Sequence, residues 1–320
     1  MKHRKLGEPG PEISILGCGT WAMGSGTWPN SWGPHDDQES IDAIHAVLDS
    51  EITWIDTAPA YGMGHAEEIV GRALGARRKD VFLATKFGLL WDEQGNTTTH
   101  GVYEKIMKEA EDSLRRLNTD YIDLYQHHWP DIDHHAPVEE TIRALEDLVK
   151  AGKVRYIGVS NYNLPLLRQA VGAGHLTSVQ PRYNILDRSA EAEVLPFCRE
   201  HGIGVVVYSP LEHGLLTGNI TAATTLSSTD WRSRDFRFTG EGLRRNMAIV
   251  DRLRPIAARL QCTMAELSLA WVLANPVITA AIVGVERKED INRSLPATSL
   301  NLDPATLAGI DAASAIRLVS

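Results

Sequence analysis

Short runs of apolar residues alternate along the chain with longer segments whose apolar positions recur every three or four residues. The first pattern is typical of buried β-strands and the second of amphipathic α-helices. Residues 102–117 show the helical pattern clearly, with apolar side chains on one face and charged pairs four residues apart on the other. Eight segments are predicted as strands, each followed by a predicted helix: residues 13–19, 53–55, 81–85, 121–126, 154–159, 177–180, 203–208 and 279–283.

This alternation predicts an α/β fold with a parallel sheet. Eight repeats close into a (β/α)8 TIM barrel, and we expect residues 1–320 to form a single domain of this type. Residues 3–15, rich in Gly and Pro, predict an N-terminal β-hairpin, and extra helices are expected near the C-terminus. Two segments lack periodicity. We expect a polar loop at residues 91–101 and a lid at residues 212–240, which contain several aromatic and arginine side chains.

Ionisable side chains follow three of the predicted strands. Asp56 and Tyr61 come after the second strand, Lys86 after the third, and His127 and His128 after the fourth. The carboxyl ends of barrel strands meet at one mouth, so we expect these side chains to lie close together. There a lysine ammonium would lower the pKa of the tyrosine, and the aspartate would keep the lysine protonated. The grouping indicates proton transfer to a carbonyl oxygen.

Carbonyl reduction also needs a hydride, which no side chain supplies, so the residues imply a nicotinamide cofactor. No Gly-x-Gly-x-x-Gly motif follows a strand, and a Rossmann-type cofactor site is therefore not indicated.

Composition and charge exclude several other classes of protein. The net charge of −9 argues against a nucleic-acid partner. Three widely spaced cysteines fit neither a disulfide framework nor a zinc site and favour a reducing, cytoplasmic location. The N-terminus lacks the apolar segment of a signal peptide, and no apolar run is long enough to span a membrane.

Seven motifs, taken in order, resemble the aldo-keto reductase family over nearly the whole chain. They are GCGTW (17–21), DTAPAYG (56–62), ATKFG (84–88), LYQHHWPD (124–131), GVSN (158–161), QPRYN (180–184) and YSPL (208–211). The resemblance is to bacterial-type members, near the branch of general stress and inositol-operon aldo-keto reductases. It implies a (β/α)8 barrel, bound NADP(H) and a catalytic tetrad of Asp56, Tyr61, Lys86 and His128.

The same resemblance implies where the cofactor lies. A serine, an asparagine and a glutamine should hold the nicotinamide carboxamide, a tyrosine should stack on the ring, and the loop after it should meet the pyrophosphate. The residues expected to bind the cofactor are Gly19, Thr20, Trp21, Ser160, Asn161, Gln180, Tyr208, Ser209, Leu211, Gly214, Gly284, Arg287 and Lys288.

The adenosine end departs from better-known members of the family. Gly284 stands where many have a lysine, and Asp290 where many have an arginine. Arg287 or Lys288 would still attract the 2′-phosphate of NADP(H), whereas Glu286 and Asp290 would repel it. We expect NADP(H), with NAD(H) as the alternative.

The two adjacent histidines have different expected roles. In the family pattern the catalytic histidine directly precedes Trp-Pro, which is the position of His128. Alternation along the strand turns His127 away from the site and into the packing of the barrel. The histidines and aspartates of residues 127–135 are dense enough to suggest a metal site, but most belong to a loop between Pro130 and Pro137, and we expect no metal.

Aromatic walls around the mouth would suit sugar-like alcohols and apolar carbonyl compounds alike. The tryptophans expected to line a substrate pocket are Trp28, Trp91, Trp129 and Trp231. The alternative function is a cofactor-binding module that docks on a partner, as the β subunits of voltage-gated potassium channels do. Substrate identity, reaction direction and oligomeric state stay open at this stage.

Overall fold

The computed structural model describes residues 1–24, 31, 35–92, 96–221 and 223–315. Within them, eight parallel strands close into a barrel in which each strand pairs with its neighbours in chain order and the last pairs with the first. The barrel strands are β1 (Leu16–Gly19), β2 (Trp54–Asp56), β3 (Phe82–Phe87), β4 (Ile122–His127), β5 (Val154–Ser160), β6 (Ser178–Gln180), β7 (Gly204–Val207) and β8 (Ala280–Gly284). The predicted (β/α)8 barrel is confirmed.

Helices surround the barrel. They are α1 (Asp37–Leu48), α2 (His65–Leu74), α3 (Tyr103–Arg116), α4 (Val138–Lys150), α5 (Leu164–Ala173), α6 (Val194–Glu200), α7 (Gly240–Arg259), α8 (Met264–Ala274), α9 (Lys288–Ser294) and α10 (Pro304–Ser314). In the described part of the chain, no single helix is long and apolar enough to cross a bilayer; α7 and α8 pass that test only as a pair, which is bent by 91° at its break.

The predicted polar loop after β3 is instead a small hairpin. Strands Leu89–Trp91 and Thr97–Thr99 pair antiparallel. The sequence prediction was wrong here because the loop assignment gave too little weight to three successive β-branched threonines, which favour extended backbone. Among its described residues, the predicted lid contains short 3-10 segments at Glu212–Thr217, which is interrupted at His213 and Gly214, at Trp231–Arg234 and at Phe236–Phe238.

A cluster of apolar side chains fills the barrel interior at its amino-terminal end. The N-terminal hairpin, whose strands His3–Lys5 and Glu12–Ser14 pair antiparallel, adds buried apolar side chains to this cluster. Trp54 is fully buried, and its indole Nε1 donates to the Ser14 carbonyl oxygen at 2.9 Å. A Cβ atom at Gly17 would lie 2.1 Å from the indole, so only glycine fits beside this tryptophan.

A charged cluster of Arg78, Asp123, Arg155 and Tyr121 lies on the outer surface of the barrel at the amino-terminal end of β4. The buried carboxylate of Asp123 accepts hydrogen bonds from Arg78 and Arg155, each at 2.8 Å. The two guanidinium groups lie 4.2 and 4.0 Å from the centre of the Tyr121 ring. These contacts join β4, β5 and the segment before β3 at the end of the barrel opposite the mouth where the strands finish.

Candidate active site

The side chains of Asp56, Lys86 and Tyr61 meet at the carboxyl end of β2 and β3. Lys86 Nζ lies 2.5 Å from Asp56 Oδ1, 3.0 Å from Tyr61 Oη and 3.0 Å from the Thr57 carbonyl oxygen. Lys86 is fully buried and Asp56 is 2% exposed. Because little water reaches this point, each ion depends on the other to offset its desolvation. Lys86 therefore links the carboxylate to the phenol.

Burial dominates the electrostatics of this group. It raises the pKa of Tyr61 above the ordinary value of 10.0; the Lys86 ammonium opposes the rise, and the Asp56 carboxylate adds to it. The net direction is opposite to the lowering expected from the sequence, because the phenol is removed from water. Burial alone would lower the pKa of Lys86, but Asp56 and Tyr61 raise it above its ordinary value. At neutral pH the lysine and the tyrosine therefore both carry their protons.

His128 packs against the phenol. The centres of the two rings lie 5.8 Å apart, with Tyr61 and His128 nearly perpendicular at 81°. Burial, with repulsion from Lys86, lowers the pKa of His128 well below 6.5, so the ring is neutral at neutral pH. Its Nδ1 is buried and has no hydrogen-bond partner among the described residues.

His127 lies on the opposite side of β4, as the strand alternation predicted. Its Nδ1 is 2.8 Å from Tyr162 Oη and its Nε2 is 2.9 Å from the His100 carbonyl oxygen. The ring stacks on Phe87 with centres 4.9 Å apart. Burial lowers the pKa of His127 to about 4. This histidine is therefore part of the packing among β3, β4 and the loops that carry His100 and Tyr162.

Two amide side chains complete the surroundings of Asp56. Gln180 Nε2 lies 3.0 Å and Gln126 Nε2 3.3 Å from Asp56 Oδ2, while Oδ1 faces Lys86. Gln180 is expected to contact the cofactor carboxamide, and in the structure its two amide hydrogens are directed at Asp56 and Gln126. Gln126 was not singled out in the sequence, where only its inward position on β4 could have indicated it.

The other side chains expected at the nicotinamide form a connected chain of hydrogen bonds. Asn161 Nδ2 donates to the His128 carbonyl oxygen at 3.0 Å and to Ser160 Oγ at 3.1 Å. Asn161 Oδ1 accepts from Tyr208 Oη at 2.8 Å, and Ser160 Oγ donates to the Gln180 carbonyl oxygen at 2.8 Å. Burial raises the pKa of Tyr208 to about 12, so its hydroxyl stays a donor.

The loop after β7 has an unusual backbone. Ser209, Glu212 and His213 have φ angles of +53°, +47° and +49°, and Gly214 has +100°. Successive left-handed residues cost strain in non-glycine positions, and they form concave backbone surfaces suited to anions. This geometry fits the pyrophosphate expected at Ser209, Leu211 and Gly214.

Glu212 holds this loop in place. Its carboxylate is 2% exposed and accepts hydrogen bonds from Arg182, Asn184 and Arg237. Arg182 and Asn184 follow β6, whereas Arg237 belongs to the predicted lid. One buried carboxylate thus joins the strained loop, the barrel and the lid, and nothing in the sequence pattern marked it.

Lid and barrel also meet through aromatic rings. The His213 ring lies edge-on to Trp21 at 5.3 Å and to Trp231 at 4.9 Å, and Trp231 contacts Phe238 at 5.8 Å. His213 Nε2 is 3.1 Å from Ser209 Oγ. Burial and two nearby arginines lower the pKa of His213 to about 3, so this contact involves a neutral ring.

The remaining expected cofactor residues lie where β1 and β8 end. Gly19 and Gly284 face each other across the strand pair, and Thr20 Oγ1 donates to the Asp56 carbonyl oxygen at 3.3 Å. A Cβ atom at Gly284 would meet nothing within 4 Å. Arg287 is exposed, and its Nε lies 3.4 Å from a Glu39 carboxylate oxygen. Lys288 is also exposed.

Three of the four tryptophans expected to line a substrate pocket lie among the described residues. Trp129 follows His128 and is 43% exposed, and Trp91 lies in the hairpin after β3. Trp231 packs in the aromatic group with Trp21. Trp28 lies outside the described residues.

Comparisons with known proteins agree with this geometry. The family model described as "Aldo/keto reductase family" matches residues 16–315. The chain is 39% identical over 290 residues to the aldo-keto reductase YhdN of Bacillus subtilis, covering 90% of this chain and 86% of that protein. It is 37% identical to the NADH-specific methylglyoxal reductase of Escherichia coli, covering 95% and 96%. Its structure is similar to that of glycerol dehydrogenase AKR11B4 from Gluconobacter oxydans, with a TM-score of 0.86, 34% identity and coverage of 95% and 92%.

Proposed function

The chain belongs to the aldo/keto reductase family of oxidoreductases, and on that premise we propose that it reduces aldehydes or ketones, or oxidises the corresponding alcohols, with Tyr61 as general acid and base. The observation that carries the proposal is the continuous contact from the Asp56 carboxylate through the Lys86 ammonium to the Tyr61 hydroxyl. No other group of described side chains at the mouth joins a proton donor to a buried cation in this way.

In reduction, Tyr61 Oη would donate its proton to the substrate oxygen as negative charge develops there. Lys86 stabilises the resulting phenolate, and Asp56 keeps the lysine charged and oriented. The neutral His128 ring can direct one N–H at the same substrate oxygen. Burial raises the pKa of Tyr61, so at neutral pH the phenol carries the proton that reduction would require.

The residues at the mouth fit a nicotinamide cofactor. Ser160, Asn161 and Gln180 would border the carboxamide, Tyr208 the ring and the left-handed loop at 209–214 the pyrophosphate. When bound, such a cofactor supplies the hydride that reaches the carbonyl carbon.

The choice between NADP(H), which the sequence favoured, and NAD(H) depends on the adenosine end. Asp290 Oδ2 accepts from the backbone amides of Glu286 and Arg287 at 3.0 and 2.9 Å, so a carboxylate already occupies donors that a 2′-phosphate would need. Arg287 is paired with Glu39. We therefore propose a preference for NAD(H), and the methylglyoxal reductase of Escherichia coli, to which the chain is similar, is NADH-specific.

The proton-transfer proposal is tested by the Tyr61→Phe variant, assayed with methylglyoxal and other aldehydes and NADH. We expect kcat to fall at least about 100-fold, because the acid is lost, while the dissociation constant for NADH changes little. Retention of the wild-type rate would refute the assignment of Tyr61.

Cofactor preference is tested by the ratio of kcat/KM for NADH to that for NADPH. Asp290→Asn should lower this ratio several-fold in favour of NADPH, since a repelling charge is removed. Glu289→Gln, which removes one exposed charge from the same helix, is the matched control. Equal ratios in the two variants would refute the role of Asp290.

A further inference from the structure

Three side chains from alternate barrel strands meet in one interior layer: Asp56 at the end of β2, Gln126 on β4 and Gln180 at the end of β6. All three are at most 2% exposed. Gln180 Nε2 lies 3.0 Å from Asp56 Oδ2 and 3.3 Å from Gln126 Oε1, and Gln126 Nε2 lies 3.3 Å from the same Asp56 oxygen. The carboxylate is thus clamped by two amides on one oxygen and by Lys86 on the other.

Gln126 has a distinct position in this layer. It donates to Asp56 and accepts from Gln180, so it fixes the direction of both amide groups. A side chain of the same length without polar atoms would leave Asp56 Oδ2 with one donor and leave Gln180 without its second acceptor.

We propose that Gln126 is a positioning residue for proton transfer: it directs Asp56 Oδ1 at Lys86 and offsets part of the carboxylate's negative charge at Tyr61. The inference rests on the proposed function, since it concerns the same proton donor. Gln126 touches neither the phenol nor any group expected to react.

The sign of the effect follows from the charges around the phenol. Asp56 disfavours the phenolate and Lys86 favours it, and the other titratable groups nearby, His128, Tyr208 and Cys18, are neutral at neutral pH. The amide N–H groups that Gln126 and Gln180 donate to Asp56 reduce the negative electrostatic potential of its carboxylate at the phenol. Removing one should therefore favour the protonated phenol and move its titration to higher pH.

The test compares the pH dependence of wild type, Gln126→Met and Gln126→Glu. Each is measured by kcat/KM for carbonyl reduction with NADH, and without turnover by tyrosinate absorbance, taken as the difference between each protein and its Tyr61→Phe counterpart. We expect the alkaline midpoint to rise by about half a pH unit in Gln126→Met and further in Gln126→Glu, where a second carboxylate replaces the amide. If the methionine variant does not fold, the glutamate variant provides the same comparison.

Tyr125→Phe is the matched control. Tyr125 is the neighbouring residue on β4, and its buried hydroxyl has no hydrogen-bond partner among the described residues. It should leave the midpoint unchanged. Midpoints in both Gln126 variants that coincide with wild type, whatever the loss of rate, would overturn the inference. Absence of carbonyl reduction in the wild-type protein would instead refute the proposed function and leave the absorbance comparison to decide the role of Gln126.

Discussion

Replacing Lys86 with Met would leave the Asp56 carboxylate buried without its cation. Breaking a buried pair by removing one partner costs about 3–5 kcal/mol, because the remaining charge is uncompensated. Asp56 would keep its hydrogen bonds from Gln126 and Gln180. We therefore expect the lower end of that range, a loss of about 3 kcal/mol in the free energy of unfolding.

Adding Asp56→Asn to Lys86→Met removes the stranded charge. The double variant should regain about 2 kcal/mol, and the remainder reflects amide hydrogen bonds of poorer geometry. Its activity should not return, because Tyr61 still lacks the ammonium that stabilises its phenolate. Both variants should reduce carbonyl substrates at least about 100-fold more slowly than wild type.

Urea unfolding of the wild type, both single variants and the double variant gives the coupling free energy, and kcat/KM with NADH gives the activity. Lys108→Met is the control, since Lys108 forms an exposed pair with Asp112 on α3 and should cost at most about 1 kcal/mol. A double variant no more stable than Lys86→Met would show that the unpaired carboxylate is not the source of the loss.

Two further predictions concern the packing beside β4. Because burial lowers the pKa of His127 from 6.5 to about 4, the unfolded chain binds a proton that the folded protein does not, and unfolding free energy should fall by about 1.4 kcal/mol per pH unit as pH drops from about 6.5 towards 4. His127→Gln should lose this part of the slope in urea titrations, and an identical slope would contradict the assignment. Gly88→Ala, at φ +85° with a Cβ only 2.5 Å from the His127 ring, should destabilise more than Gly152→Ala, at φ +75° with open space around it. Equal decreases in the thermal unfolding midpoint of the two variants would refute the proposed clash between a Cβ atom at position 88 and the His127 ring.

The sequence was sufficient for the barrel and for the grouping of Asp56, Lys86, Tyr61 and His128 at one mouth. Strand–helix alternation determines the topology, and parallel strands deliver the residues that end them to the same edge. The alternation of side chains along β4 likewise predicted that His127 and His128 point to opposite sides of the strand, because it depends only on local backbone geometry.

Features that depend on distant partners could not be predicted in this way. The pairing of Arg287 with Glu39 joins segments far apart in the chain, and the sequence gives no sign of it. The pKa of Tyr61 is set by the balance among burial, the Lys86 ammonium and the Asp56 carboxylate, and the size of each effect depends on three-dimensional geometry. Gln126 resembles any polar residue in a strand until its neighbours across the barrel are known.

The charged cluster of Arg78, Asp123, Arg155 and Tyr121 lies at the amino-terminal end of the barrel, where the proposed reaction places neither substrate nor cofactor. Its hydrogen bonds and ring contacts involve none of the segments that surround the mouth of the barrel. The hairpin strands after β3, Leu89–Trp91 and Thr97–Thr99, are consequently suitable places for exchange or randomisation when altered substrate range is sought. The stretch between β7 and α7 is not, because it contains the buried carboxylate of Glu212 and the residues expected to bind the cofactor.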